Sequence, residues 1–186
     1  MIGFALCGSF CTVRKSLAQM ERLAEQYEIQ GIVSERVYQT DTRFASAKEV
    51  LEEIKLITGR EVIHDIVGAE PLGPQCPLEA MVICPCTGNT LAKMANGITD
   101  SSVTMAAKAH LRSDRPLLIA LASNDALSAN LRNIGTLLTR KNVYFVPMRQ
   151  DDPSGKPHSL VADFALLSPA LEAALQGKQY QKLFER

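Results

Sequence analysis

Four short stretches hold the residue types that take small polar ligands: Gly8-Ser9-Phe10, Ser34, Thr87-Gly88-Asn89-Thr90 and Ser123-Asn124. They offer hydroxyls, side-chain amides and backbone N–H groups, and none carries a cation. That chemistry suits one phosphate, received by N–H groups at a helix start, together with a neutral polar ring system. The glycine at position 8 lets the backbone approach a ligand closely, while Ser9 adds a hydroxyl. Neither a GxGxxG dinucleotide fingerprint nor a GxxxxGK[ST] phosphate loop occurs in the chain, so nucleotide binding of those two kinds is not indicated.

Each stretch follows an apolar run. Ala80-Met81-Val82-Ile83 reads as a strand covered on both faces, and Leu91, Met94, Ala95 and Ile98 after it recur at helical spacing. The period therefore changes across Cys84-Pro85-Cys86-Thr87, with Thr87 the expected N-cap and Gly97 the expected stop. Ile2 to Leu6 repeats the pattern, with Val13, Leu17, Met20, Ala24 and Tyr27 as the helix face. Further strands are expected at Gln30 to Val33, at Val62 to Val67 with His64 packed in or beside the sheet, at Leu117 to Leu121 and at Val143 to Val146.

Between them, Glu35 to Arg43 reads as a polar loop, and Phe44, Ala47, Leu51 and Ile54 as the buried face of a long helix stopped by Thr58-Gly59. The proline- and glycine-rich stretch 68–77 reads as an irregular loop. Asp100-Ser101-Ser102 caps a helix bearing Val103, Ala106, Ala107 and Leu111. Leu127, Leu131, Ile134 and Leu138 mark another helix. After Pro147 the alternation gives way to an exposed loop from Met148 to Ser159, then a short helix opened by Ser168-Pro169 and a polar tail from Gln176 to Arg186 that either frays or docks on a neighbouring protomer. Six strands alternating with helices predict an α/β architecture: a three-layer, doubly wound, mostly parallel six-stranded sheet.

The 186 residues fit one domain, residues 1–186, with a full core. Twenty basic and twenty acidic side chains cancel, which argues against nucleic acid or an anionic membrane as partner. Met1 to Leu6 shows neither a basic leader nor a long apolar stretch, so a cytoplasmic protein is expected. The five cysteines, Cys7, Cys11, Cys76, Cys84 and Cys86, are odd in number and irregularly spaced, and read as reduced thiols. A metal site built from Cys84-x-Cys86 with Cys7 and Cys11 lacks the paired CxxC spacing and any His-x3-5-His, so no metal is expected.

Flavin mononucleotide matches the four strand ends, with its phosphate at a helix start and amides and hydroxyls at the ring edge. The run Pro85-Cys86-Thr87-Gly88-Asn89-Thr90, followed by Lys93, Gly97 and Asp100, resembles the Pro-Ala-Ser-Ala-Asn-Thr motif of the homo-oligomeric flavin-containing cysteine decarboxylases. The resemblance extends to Gly8-Ser9 and Ser123-Asn124, and implies a Rossmann-like flavoprotein fold in which these segments contact FMN and Asn89 faces the flavin. Cys86, Thr87 and Gly88 stand where the motif has Ala, Ser and Ala, and no histidine here matches the family's catalytic one, so decarboxylation is not implied. Cys7 and Cys86 would flank the pocket as small buried hydrophobes.

The loop run Val146-Pro147-Met148-Arg149-Gln150-Asp151-Asp152-Pro153 with Lys156-Pro157-His158-Ser159 is similar to a branch of the family that works with a separate Rossmann-type partner protein in spore formers. That branch oxidises dihydrodipicolinate to pyridine-2,6-dicarboxylate. The resemblance implies FMN here or a nicotinamide, NAD(P), on the partner as hydride acceptor, with Arg149, Lys156 and His158 meeting the two substrate carboxylates. It also implies a homo-oligomer, a trimer or dodecamer, in the mother cell. Two other readings stay open: a stand-alone FMN-dependent decarboxylase or prenyltransferase, and a non-catalytic structural component. No particular residue is assigned the chemical step.

Overall fold

The computed structural model describes residues 1–73, 75–76 and 78–184, so Pro74 and Pro77 of the expected irregular loop, and Glu185 and Arg186 of the tail, lie outside the described residues. The chain begins with β1 (Ile2–Leu6), a 3-10 turn (Phe10–Thr12), α1 (Val13–Ala24) and β2 (Ile29–Val33). Three helices follow, α2 (Glu35–Gln39), α3 (Ala47–Thr58) and α4 (Ile66–Ala69). Then come β3 (Ala80–Cys86), α5 (Gly88–Ala95), α6 (Ser102–Leu111), β4 (Leu117–Ser123) and α7 (Leu131–Leu138). The chain closes with β5 (Val143–Phe145), β6 (Met148–Arg149), β7 (Leu160–Ala162), a second 3-10 turn (Phe164–Leu166) and α8 (Leu167–Leu175).

Parallel pairing gives the order β2-β1-β3-β4, with β5 parallel to β4 along its first half and β7 antiparallel to its last two residues. Side chains alternate across the sheet. Ile2, Phe4, Leu6, Val82 and Cys84 join α1, α3 and α8 on one side, and Ala5, Cys7, Met81 and Ile83 join α5, α6 and α7 on the other. Both faces are thus covered, which is why the strands read as continuous apolar runs. Leu17 and Met20 of α1 are fully buried against the sheet, each contributing about 1.5–3 kcal/mol of hydrophobic stabilisation. Where β1 and β3 lie side by side, their chains leave toward helices on opposite faces, which makes the gap between them the topological switch point.

Local signals set most element ends. Thr87 accepts from the Thr90 N–H, Ser101 from Thr104 and Ser46 from Glu49, and Gly59 ends α3 at φ 65° and Gly97 follows α5 at φ 72°. Several expectations need correction. Val62 to Val67 is not a strand: Ile63 forms a single bridge with Ile32, and Asp65 then accepts from the Gly68 N–H and starts α4. His64 lies half-buried beside the sheet, next to the Ile63 bridge, stacked on Tyr38 with ring centroids 3.9 Å apart.

Residues 35–39, expected in a loop, form α2 because Ser34 caps them. Phe44 lies outside α3 and is 40 % exposed, under the Arg43 guanidinium. The helix expected from Leu127 starts at Leu131, since Asn130 N–H bonds to the Asp125 carbonyl and holds the preceding turns. Among the described residues the sheet has seven strands rather than six: the one expected at Val62 to Val67 is absent, and β6 and β7, too short to show a period, are added. The tail docks on its own chain: the Gln179 side chain accepts from Phe145 N–H at 2.9 Å and donates to Phe145 C=O at 2.7 Å.

Candidate functional site

The strand order places the chain just after β2, β1, β3 and β4 side by side at one edge, so Ser34, Gly8-Ser9, Thr87-Gly88 and Ser123-Asn124 form a continuous rim. After β1, the chain turns sharply: Ser9 N–H bonds back to Cys7 C=O, and Thr12 donates from both N–H and Oγ1 to Ser9 C=O. The N–H groups of Gly8, Phe10 and Cys11 find no acceptor among the described residues. Three free N–H groups at the head of a 3-10 turn running into α1 make a concave donor set for an anion. A Cβ placed on Gly8 would meet the Phe10 ring at 3.4 Å and Arg36 Cβ at 3.5 Å, ordinary contacts, so protein packing does not demand this glycine.

The second donor set, at the start of α5, has a different character. Gly88 is buried, and a Cβ there would run into Ser123 Oγ, Asn130 Nδ2 at 2.6 Å and Asp125 Oδ1 at 2.8 Å. Ser123 donates to Asp125 Oδ1 at 2.5 Å, Asn130 Nδ2 donates to both carboxylate oxygens at 2.9 Å, and Asn133 donates to Asn130 Oδ1 at 2.8 Å. The bonds from Ser123 and Asn130 hold the Asp125 carboxyl below its ordinary range, so it stays ionised beside the positive end of α5. A carboxylate already sits there. A phosphate is therefore better placed at Gly8-Cys11, and exposed Asn89, on the first turn of α5, is free to address a neutral ring edge.

The remaining residues separate by role. Ser34 Oγ caps α2, accepting from Val37 N–H at 3.5 Å. Thr87 Oγ1 caps α5, and Thr90 Oγ1 turns inward to donate to Cys7 Sγ at 3.3 Å. Burial pushes the Cys7 thiol up to about 11 and the Cys84 thiol up to about 12, and drives Cys86 up as well, so all three are protonated at neutral pH. They pack as small hydrophobes. Among the described residues no group of three or more His, Cys, Asp or Glu is placed to hold a metal ion.

Residues 150–159 lie next to the turns after β4, where His158 C=O accepts from Leu127 N–H at 2.9 Å. Lys156 is engaged by Asp151 at 3.1 Å, which raises its pKa, and His158 is exposed. Arg149 instead borders a cleft against α1. Sequence reasoning included Phe10 but missed the free N–H group of Cys11 and the Asp125-Asn130-Asn133 network. The Asp-x4-Asn-x2-Asn spacing was its only local signal.

No helix among the described residues is long and apolar enough to cross a membrane. The profile of the Flavoprotein family matches residues 1–162, and the chain belongs to that family. It is 46 % identical over 183 residues to the B component of dipicolinate synthase from Bacillus subtilis, covering 98 % of this chain and 92 % of that one. The crystal structure of the same dipicolinate synthase component from Bacillus halodurans is 46 % identical, with a TM-score of 0.91 over 100 % of this chain and 95 % of that chain. An FMN-dependent cysteine decarboxylase, SpaF, shares the fold at 23 % identity, with a TM-score of 0.69 over 95 % of each chain.

Proposed function

We propose that this flavoprotein-family chain fills the role of the B component of a dipicolinate synthase: with the Rossmann-type A component as partner, it oxidises dihydrodipicolinate to pyridine-2,6-dicarboxylate. The observation that carries the reading is the 46 % identity over 98 % of the chain to the Bacillus subtilis protein. The reaction removes a hydride and a proton from a dihydropyridine ring and leaves it aromatic. FMN, when bound, supplies a hydride acceptor; NAD(P) on the partner is the other source of one.

The rim fits FMN by its donor chemistry. Gly8, Phe10 and Cys11 N–H groups with Ser9 Oγ would receive the phosphate, and Asn89 with Thr87 and Asn124 would address the ring edge, with Ser123 fixed behind them by Asp125. Ser34 and Thr90 support the pocket from beneath as cap and thiol partner. His158, exposed next to the turns after β4, and Arg149, exposed at the cleft against α1, would read substrate carboxylates, while Lys156 orders the loop through Asp151. A homo-oligomer, trimer or dodecamer, in the cytoplasm of the mother cell completes the reading.

The test is an absorbance spectrum and FMN titration of the purified chain, alone and with the A component, followed by turnover of dihydrodipicolinate. The expected result is a flavin spectrum, binding weakened about tenfold by Ser9→Ala or Asn89→Ala, and turnover only when both components are present. Replacing Arg149 and Lys156 together raises the substrate KM. Full turnover by the A component on its own would overturn the role, and absence of flavin binding in both conditions would move the hydride acceptor to that component. Turnover of aminoacyl-cysteine or prenylated substrates without a partner would replace it by the stand-alone enzyme.

A further inference from the structure

At the end of the sheet away from the rim, the last turns of α5, α6 and α7 leave a cavity of ≈ 500 Å³ over Leu117, the first residue of β4. Leu117 and Ser123 are six residues apart along that strand, about 20 Å, so the cavity is separate from the rim. Its floor is apolar: Met94, Ala107, Leu117 and Leu137 are buried beneath it, with Leu111 beside them. Among the described residues no acid and no aromatic ring lines it. The outer wall, Gly97-Ile98-Thr99, is pinned by bonds from Gly97 N–H to Met94 C=O and from Ile98 N–H to Lys93 C=O, and by the Lys93–Asp100 ion pair at 2.7 Å. Lys93, Gly97 and Asp100, which the rim does not use, therefore shape this second hollow.

Cations ring the mouth. Lys108 and Arg112 stand one turn apart on α6, a like-charge pair, and Arg140 joins them from just past α7. Among the described residues none of the three forms an ion pair. Arg140 is held by one bond, to Met94 C=O at 3.1 Å, and a guanidinium has donors to spare after that. Lys141, also at the mouth, is engaged by Asp114 at 3.0 Å. Cations near helix C-termini complement the macrodipole, which explains their sign. It does not explain the apolar hollow between them, with exposed Ile98 at its edge. Together the two features describe a ligand with one anionic head and an apolar body, and the volume is that of a small-molecule site. With no ring to stack on and an apolar floor, an aliphatic chain fits better than a nucleotide or a diacid.

We propose that this cavity binds an aliphatic monocarboxylate of medium chain length, its carboxylate held among Lys108, Arg112 and Arg140 and its chain lying on Met94, Leu111 and Leu137. The site goes beyond the function proposed above and does not rest on it. The test is isothermal titration of the full chain with octanoate, butanoate and 1-octanol in separate runs, each below the concentration at which it aggregates.

Octanoate is expected to saturate a single site. Butanoate, which keeps the head but loses four methylenes, and octanol, which keeps the body but loses the charge, each bind about tenfold or more weakly than octanoate. Octanoate affinity falls about tenfold or more in Lys108→Ala/Arg112→Ala and also falls in Ile98→Asp, which sets an acid at the edge, while Lys178→Ala leaves it unchanged. All the replaced residues are exposed, so a fold defect does not stand in for lost binding. Absence of saturable octanoate binding, octanol or butanoate binding as tightly as octanoate, or octanoate affinity untouched by the paired alanine variant each overturns the proposal.

Discussion

Gly88→Ala is expected to destabilise the fold by about 2 kcal/mol, a magnitude that comes from what surrounds the first residue of α5. The added methyl meets Ser123 Oγ, Asn130 Nδ2 and Asp125 Oδ1. None of these can swing aside freely: Ser123 and Asn130 both donate to the same carboxylate, and Asn133 holds Asn130 from behind. Overpacking of this kind costs about 1–3 kcal/mol. The alternative, pushing Ser123 Oγ off an ionised acceptor, costs about 1.5–3 kcal/mol. Both routes centre near 2 kcal/mol, and a domain of this size loses about 2–4 °C of melting temperature per kcal/mol, giving a drop of about 4–8 °C. Differential scanning calorimetry measures it directly. In a Ser123→Ala background the clash loses its first partner, so adding Gly88→Ala there should lower the melting temperature by less than it does in the native chain. A melting temperature unchanged by Gly88→Ala, or the same drop in both backgrounds, would refute the reasoning.

Iodoacetamide at pH 8 should modify exposed Cys11 and Cys76 quickly and leave Cys7, Cys84 and Cys86 intact until the chain is unfolded, as read by peptide mass spectrometry. His110 is fully buried, donates from Nε2 to Pro116 C=O at 2.9 Å and leaves Nδ1 unpartnered, and desolvation lowers its pKa from 6.5. Its folded form resists the proton that the unfolded chain accepts, so its contribution is intact above about pH 6.5 and is lost as pH falls through that value toward the lower folded pKa. Urea unfolding should show this loss between pH 7 and pH 5, and His110→Gln should flatten it. Gly31→Ala drives a methyl into Ile54 Cγ2 where α3 crosses β2, and should cost about 1–3 kcal/mol in the same assay unless Ile54 is also shortened to valine.

Much of the candidate site was legible because its residues are local signals. Thr87 is a cap because a hydroxyl in front of an apolar stripe at period 3.6 can do little else, and Gly97 follows its helix for the same kind of reason. Val62 to Val67 misled because an apolar run of six is compatible with a strand, whereas Asp65 turns it into a helical cap after one bridge. His64 stays beside the sheet, next to that bridge, and stacks on Tyr38. The two strands flanking residues 150–159 are two and three residues long, below the length at which alternation can be recognised.

The sequence by itself determined the alternation of strands and helices, the small polar residues at four strand ends, and the absence of net charge, since each depends on residue type or on spacings within one turn or one strand. Only the tertiary structure decided which strand ends become neighbours. The parallel pairing of β1 with β3 at the switch point puts Gly8 beside Thr87, separated by 79 positions in the chain. Folding also brought Asp125 to the start of α5, while the N–H groups of Gly8, Phe10 and Cys11 after β1 stay without an acceptor among the described residues. It gathered Lys108 and Arg112 of α6 with Arg140 at one cavity. Such pairings arise from strand order and packing between distant segments, and no local period encodes them.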